Sequence, residues 1–266
     1  KDQSNRLIIS IRLIIRGKIM KKFMLIFVNL LTMVRIIGVF MMIPVYFNYG
    51  GLYAAILSIC CYLTDCIDGF LARKFHVATF FGSMFDGVAD KLFSCSNLII
   101  LFKVTKYSIA SIIFELAVVL IQFIKFQKNI NVKTSKIGKI KTIVMSITVI
   151  LIYLVTDINS LTFLSNDFIN YINKINSNIL YLTLFTPLYI FQILTLYSYL
   201  KFLRTYDTTS KENIPVVDIN LKPKTSIKNR WDNFVTIWLD NDFYEKYKDS
   251  QGLKGIRKEI KHNDRI

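Results

Sequence analysis

Six apolar stretches separated by short polar breaks organise this chain. They run over 23–48, 51–75, 82–104, 107–127, 140–156 and 178–200. A helix needs about 20 residues to cross a hydrocarbon core of roughly 30 Å, and these stretches approach or exceed that length. The expected fold class is an all-α integral membrane protein with six transmembrane helices. Ahead of them, residues 4–20 mix Leu and Ile with Arg6, Arg12 and Arg16, the pattern of a basic amphipathic helix lying in the membrane interface. Gly50 and Gly51 break the first stretch from the second, residues 157–177 are polar, and Pro187 is expected to kink the last helix. Beyond residue 204 charges of both signs appear, and Pro215 and Pro223 mark a linker. Residues 226–247 then carry Trp231, Phe234, Trp238, Phe243 and Tyr244, which predicts a helix pressed on the bilayer, on the core or on a partner. The expected division is an amphipathic segment 1–22, a six-helix catalytic domain 23–203 and a charged cytoplasmic tail 204–266.

Composition agrees with a membrane location. The chain is 53% hydrophobic and only 20% charged, an unusual balance for a soluble enzyme. Its formal charge is +16, which raises nucleic acid as a partner. The positions argue against it, because many lysines fall in short links between apolar runs, where anionic lipid head groups and phosphorylated substrates are the fitting counterparts. The link 125–141 holds Lys125, Lys128, Lys133, Lys136, Lys139 and Lys141, against Lys103, Lys106 and Lys174 in the alternate links. That bias predicts a multi-pass protein of the cell membrane with both termini in the cytoplasm. Met20-Lys21-Lys22 before an apolar run resembles the start of a signal peptide, but Arg35 interrupts the run and no convincing cleavage site follows; it is read as a retained first helix. Cys60, Cys61, Cys66 and Cys95 sit in or beside apolar stretches with no CxxC pair, so they read as small hydrophobes. Two histidines, His76 and His262, make a His/Cys zinc site improbable.

Against this background the carboxylates stand out. Asp65-x-x-Asp68-Gly69-x-x-Ala72-Arg73 is followed, after eight residues, by Gly82-x-x-x-Asp86-x-x-x-Asp90. Ionisable groups at membrane depth are costly and usually face a cavity, an ion or one another. Spacings of three and four place Asp65 with Asp68, and Asp86 with Asp90, on one face of each of two successive helices. If those faces meet, four carboxylates repel each other until a cation intervenes. Hard oxygen donors without His or Cys select Mg²⁺ or Mn²⁺, with two ions expected. Gly69, Ala72 and Gly82 would let a flat ligand approach the backbone, and the planar fork of Arg73 suits a pyrophosphate. Metal and phosphate together point to phosphoryl-group transfer, with Asp90 the geometric candidate for the base that takes a proton from an attacking hydroxyl. On the first helix, Asn29, Thr32 and Arg35 share one face.

The full series from Asp65 to Asp90 resembles, in every spacing, the signature of the CDP-alcohol phosphatidyltransferase family. The resemblance spans roughly residues 25–200. It implies a six-helix membrane enzyme, usually a homodimer, open to the cytoplasmic interface. By the same resemblance Asp65, Asp68, Asp86 and Asp90 surround the metal. Thr32, Gly69, Ala72, Arg73 and Gly82 bind the CDP part of CDP-diacylglycerol, while Arg35, Lys139 and Lys141 meet the acceptor's phosphate. Asn29-x-x-Thr32-x-x-Arg35 and Gly138-Lys139-x-Lys141-Thr142 are similar to the branch whose acceptor is glycerol 3-phosphate; phosphatidylglycerol is the alternative acceptor. Two positions depart from that branch: Gly87 stands where proline is common, and Phe114 precedes Glu115 where arginine is expected.

A reading of another class is a cation transporter or a membrane scaffold. An ion path would distribute acids through the membrane depth. Here they gather at facing ends of two stretches, with Arg73 and glycines at fixed spacing.

Overall fold

The computed structural model describes residues 2–127, 136–162, 164–209 and 226–247, with the side chains of 2–18, 125–127 and 205–209 left aside. Lys128, Lys133, Pro215, Pro223 and His262 therefore lie outside the described residues, as do the side chains of Arg6, Arg12, Arg16 and Lys125. The described chain is all-α. Its helices are α1 (Asp2–Tyr49), α2 (Gly51–Lys74), α3 (Phe80–Val104), α4 (Ser108–Gln127), α5 (Lys136–Thr156), α6 (Asn166–Lys174), α7 (Ser177–Thr209), α8 (Ile227–Leu239) and α9 (Asn241–Tyr247).

Among the described residues, four helical segments are long and apolar enough to cross a membrane, not the six expected: Ile19–Tyr49, Gly51–Lys74, Lys136–Thr156 and Ser177–Arg204. The two that fail do so for different reasons. In α3 the apolar run is interrupted by Asp86, Asp90, Lys91 and Lys103. In α4, Ser108–Gln127, the apolar stretch among the described side chains is Ser108–Ile124, about 25 Å at 1.5 Å per residue. The expected separate interfacial helix is also corrected. Nothing breaks the chain between Asp2 and Tyr49, so that segment is continuous with the first membrane helix. Gly17 is its one weak helix former before the membrane segment, and a single glycine costs only about 1 kcal/mol. The polar stretch 157–177 contains a 3₁₀ turn, Ile158–Ser160, and α6. Large apolar side chains face outward, Phe40 being 74% and Phe23 66% exposed, as fits helices in lipid and a multi-pass membrane protein.

α1 packs against α2 and α3; α5 packs against α2 and α7; α4 packs against α3 and α7. The shared core includes Met42, Ala54, Phe93, Leu98, Val149, Ile152 and Leu188. A polar knot crosses it. Asn97 donates to the Phe93 carbonyl at 2.9 Å and accepts from Ser58 at 3.3 Å and Tyr153 at 3.1 Å, joining α2, α3 and α5. Few alternatives satisfy these groups without water, so the knot fixes their register.

Two turns set the geometry of the acidic segment. Gly50 has φ of 92°, a left-handed value glycine adopts freely, and reverses the chain between α1 and α2. The α2 N-terminus is then tied to the end of α5 by the Leu52 amide, which donates to Asp157 Oδ2 at 3.2 Å. The second turn, 75–79, closes with the Val77 amide on the Ala72 carbonyl at 3.0 Å. Thr79 caps α3, its Oγ1 accepting from the Gly82 amide at 3.0 Å. That tight reversal brings the end of α2 beside the start of α3.

Candidate active site

Asp65 and Asp68 come from the last turns of α2, Asp86 and Asp90 from the first turns of α3, and Arg35 from the middle of α1. The guanidinium of Arg35 touches all four carboxylates. Nη2 lies 2.8 Å from Asp65 Oδ1 and 2.8 Å from Asp68 Oδ2; Nη1 lies 2.8 Å from Asp86 Oδ1 and 3.0 Å from Asp90 Oδ1. Arg35 is 1% exposed, and its Nε is buried with no partner among the described residues. Thr32, one turn before it, donates to Asp68 Oδ2 at 3.4 Å. Sequence spacing predicted the two acidic faces; it did not predict that Arg35 would stand between them.

One guanidinium does not balance four carboxylates. Asp68 is buried, while Asp65, Asp86 and Asp90 keep about a third of their surface. Asp65, Asp68 and Asp86 each offer an oxygen such that all three lie within 4.8 Å of one another. A hard divalent cation suits such a trio of oxygen donors, so the residues present fit the predicted Mg²⁺ or Mn²⁺. Asp90 stands one turn further along α3, beside this trio rather than within it.

A cavity of about 230 Å³ opens next to the trio. Its walls include Thr32, Gly69, Ala72, Arg73 and Gly82, the five residues predicted for the nucleotide, together with Asp68 and Asp86. Gly82 gives its amide to the Thr79 cap and leaves little room for a side chain. A Cβ there would come within 3.1 Å of Thr79 Oγ1 and 3.4 Å of Asn29 Oδ1. At Gly69 an added Cβ would meet Arg73 Nη1 at 3.4 Å, so the two residues share one small volume. Lining residues that were not predicted as site residues include Asn29, Ser83 and Tyr244. Asn29 was visible as a member of the Thr32–Arg35 face. Tyr244 comes from the tail, where only an aromatic stripe gave any signal.

The cations expected at the acceptor's phosphate are not gathered in one place. Arg35 is among the aspartates. Lys139 is exposed on α5. Lys141 is 3% exposed, and its Nζ contacts Glu115 Oε1 at 2.6 Å and Oε2 at 2.8 Å. Lys91, next to Asp90, approaches Glu115 Oε2 at 3.6 Å, and Gln192 Nε2 donates to Glu115 Oε1 at 3.3 Å. Glu115 thus collects groups from α3, α5 and α7. Phe114 leaves this network without the arginine expected beside Glu115 and packs on Tyr189.

Comparison with known proteins supplies the context. The family model for CDP-alcohol phosphatidyltransferase matches residues 25–196. A protein of Wigglesworthia glossinidia brevipalpis named CDP-diacylglycerol–glycerol-3-phosphate 3-phosphatidyltransferase is 35% identical over 130 residues, 45% of this chain and 71% of that protein. A protein of the same name from Rickettsia typhi is 28% identical over 186 residues, 67% of this chain and 97% of its own length. The match runs from α1 into α7 and takes in all four aspartates, Arg35 and the cavity's glycines, so this chain belongs to the CDP-alcohol phosphatidyltransferase family.

Proposed function

We propose that this chain transfers the phosphatidyl group of CDP-diacylglycerol to sn-glycerol 3-phosphate, giving phosphatidylglycerophosphate and CMP. The observation that carries the reading is the convergence of four aspartates beside a cavity walled by Gly69, Ala72, Gly82 and Arg73. The names of the similar proteins from Wigglesworthia and Rickettsia support the acceptor.

Asp65, Asp68, Asp86 and Asp90 would hold the divalent metal, the first three offering the converging oxygens. When bound, that ion neutralises phosphate charge and stabilises the leaving CMP. Thr32, Gly69, Ala72, Arg73 and Gly82 bind the CDP moiety, and Arg73 pairs with pyrophosphate oxygens. Asp90 accepts the proton of the acceptor's hydroxyl. The hydroxyl oxygen bonds to the lipid-side phosphorus, the bond from that phosphorus to the CMP oxygen breaks, and CMP leaves with the electron pair. Arg35, Lys139 and Lys141 are assigned to the acceptor's phosphate. Arg35 and Lys141 already serve carboxylates, so the phosphate would share their protons with Asp and Glu. The lysine bias of 125–141 supports a cytoplasmic orientation of this chemistry.

The test is an acceptor panel. Purified protein receives CDP-diacylglycerol, Mg²⁺ or Mn²⁺ and one alcohol at a time, and CMP release and lipid product are followed. Turnover with glycerol 3-phosphate is expected. Turnover only with phosphatidylglycerol would replace this reading with cardiolipin synthesis, and none with any alcohol would favour a transporter or scaffold.

A further inference from the structure

The C-terminal tail takes part in the cavity, and this lies outside the part of the chain that the family model matches. That match ends at residue 196, yet Tyr244 on α9 lines the cavity beside Arg73 and Gly82. It is the one aromatic residue among the described residues that do so.

The tail is held there by specific contacts. Phe80, the first residue of α3, packs edge-on against Phe243 at 6.3 Å and Tyr244 at 5.0 Å between ring centroids. Phe243 and Tyr247 are buried. The Asn241 side-chain amide donates to the His76 carbonyl in the turn between α2 and α3. His76 has φ of 51°, an uncommon left-handed value for a residue with a side chain. Tyr244 is itself only partly buried, packing edge-on with Phe80 while lining the cavity. Fixed by its neighbours, and the one aromatic ring among the described residues that line the cavity, it has the character of a stacking surface.

We propose that Tyr244 is a donor-binding residue, its ring packing on the pyrimidine base of the CDP moiety. The inference rests on the nucleotide occupying this cavity, as in the reading above. Stacking on an aromatic side chain needs only a flat π-face and contributes affinity for the base, not for phosphates. The tail is then the element that turns a metal and pyrophosphate site into a nucleoside site.

The test uses the full chain in detergent with Mn²⁺ and isothermal titration calorimetry of two ligands, CDP and inorganic pyrophosphate. Tyr244→Ala is expected to weaken CDP binding about tenfold while leaving pyrophosphate affinity unchanged. Tyr244→Phe, which keeps the ring, is expected to bind CDP within about twofold of the unaltered protein. Equal CDP affinity in Tyr244→Ala and the unaltered protein would overturn the inference. So would a parallel loss for CDP and pyrophosphate, which would mean that the residue acts on the shape of the pocket. Failure of the unaltered protein to bind CDP would defeat the nucleotide reading itself, and this inference with it. CDP binding that is indifferent to Tyr244 would defeat this inference alone.

Discussion

Lys141 and Glu115 form a two-pronged ion pair in the interior, Nζ lying 2.6 and 2.8 Å from the two carboxylate oxygens, with both side chains at most 3% exposed. The pair joins α4 to α5. Removing one partner of such a pair strands a charge and costs about 3–5 kcal/mol, whereas removing both can be close to neutral. Lys141→Met should therefore lower the unfolding midpoint sharply, and Glu115→Gln in the same chain should recover much of the loss. Thermal unfolding in detergent of the two single variants and the double variant checks this. Additive losses would show that the two groups are not energetically coupled.

Arg35 presents the same arithmetic on a larger scale, because four carboxylates depend on it. Arg35→Met should destabilise the metal-free protein by about 3 kcal/mol or more, since it leaves buried Asp68 unpaired. Mn²⁺ should then raise the melting temperature more in the variant than in the unaltered protein, because the cation replaces a lost charge. An equal rise in both would mean that Arg35 and the metal do not act on the same carboxylates.

Turnover should require the trio. Asp86→Asn is expected to reduce CMP release at least about a hundredfold with little effect on folding, as Asp86 is partly exposed. Asp68→Asn should match it in activity and also lose stability through its contact with Arg35. EDTA should abolish turnover and added Mn²⁺ restore it. Activity surviving in both variants would reject the assignment of these aspartates to the metal.

Two glycines should respond oppositely to alanine. At Gly51 a Cβ would fall 2.3 Å from the Tyr153 carbonyl and 2.2 Å from Thr156 Oγ1, so Gly51→Ala should force α2 from α5 and cost about 1–3 kcal/mol. At Gly87 nothing lies within 4 Å of an added Cβ, so Gly87→Ala in exposed α3 should stabilise by up to about 1 kcal/mol. Melting temperatures of the two variants distinguish crowding from helix propensity.

The acidic site was largely legible because its information is local. Spacings of three and four fix which carboxylates share a helix face, and the short link between Arg73 and Gly82 forces those faces together. The partners of Arg35 and Lys141 were not legible. Both cations reach carboxylates more than twenty residues away, and no spacing rule says which long-range acid a lysine or arginine will find. Apolar content alone overcounts the membrane-length helices because it does not discount the site's own charges. Asp86, Asp90 and Lys91, the residues that marked the chemistry, also disqualify α3 as an ordinary span. Tyr244 was hidden for a third reason. An aromatic stripe in a tail looks the same whether it meets lipid, protein or a ligand cavity.

Asn97 is an anchor. It pins α3 to two neighbouring helices about 16 Å along the helix from Asp86, while the far end at Phe80 is gripped by the tail. Asp86 and Asp90 thus sit on a stretch of α3 anchored at both ends, by Asn97 on one side and by the tail's packing on Phe80 on the other.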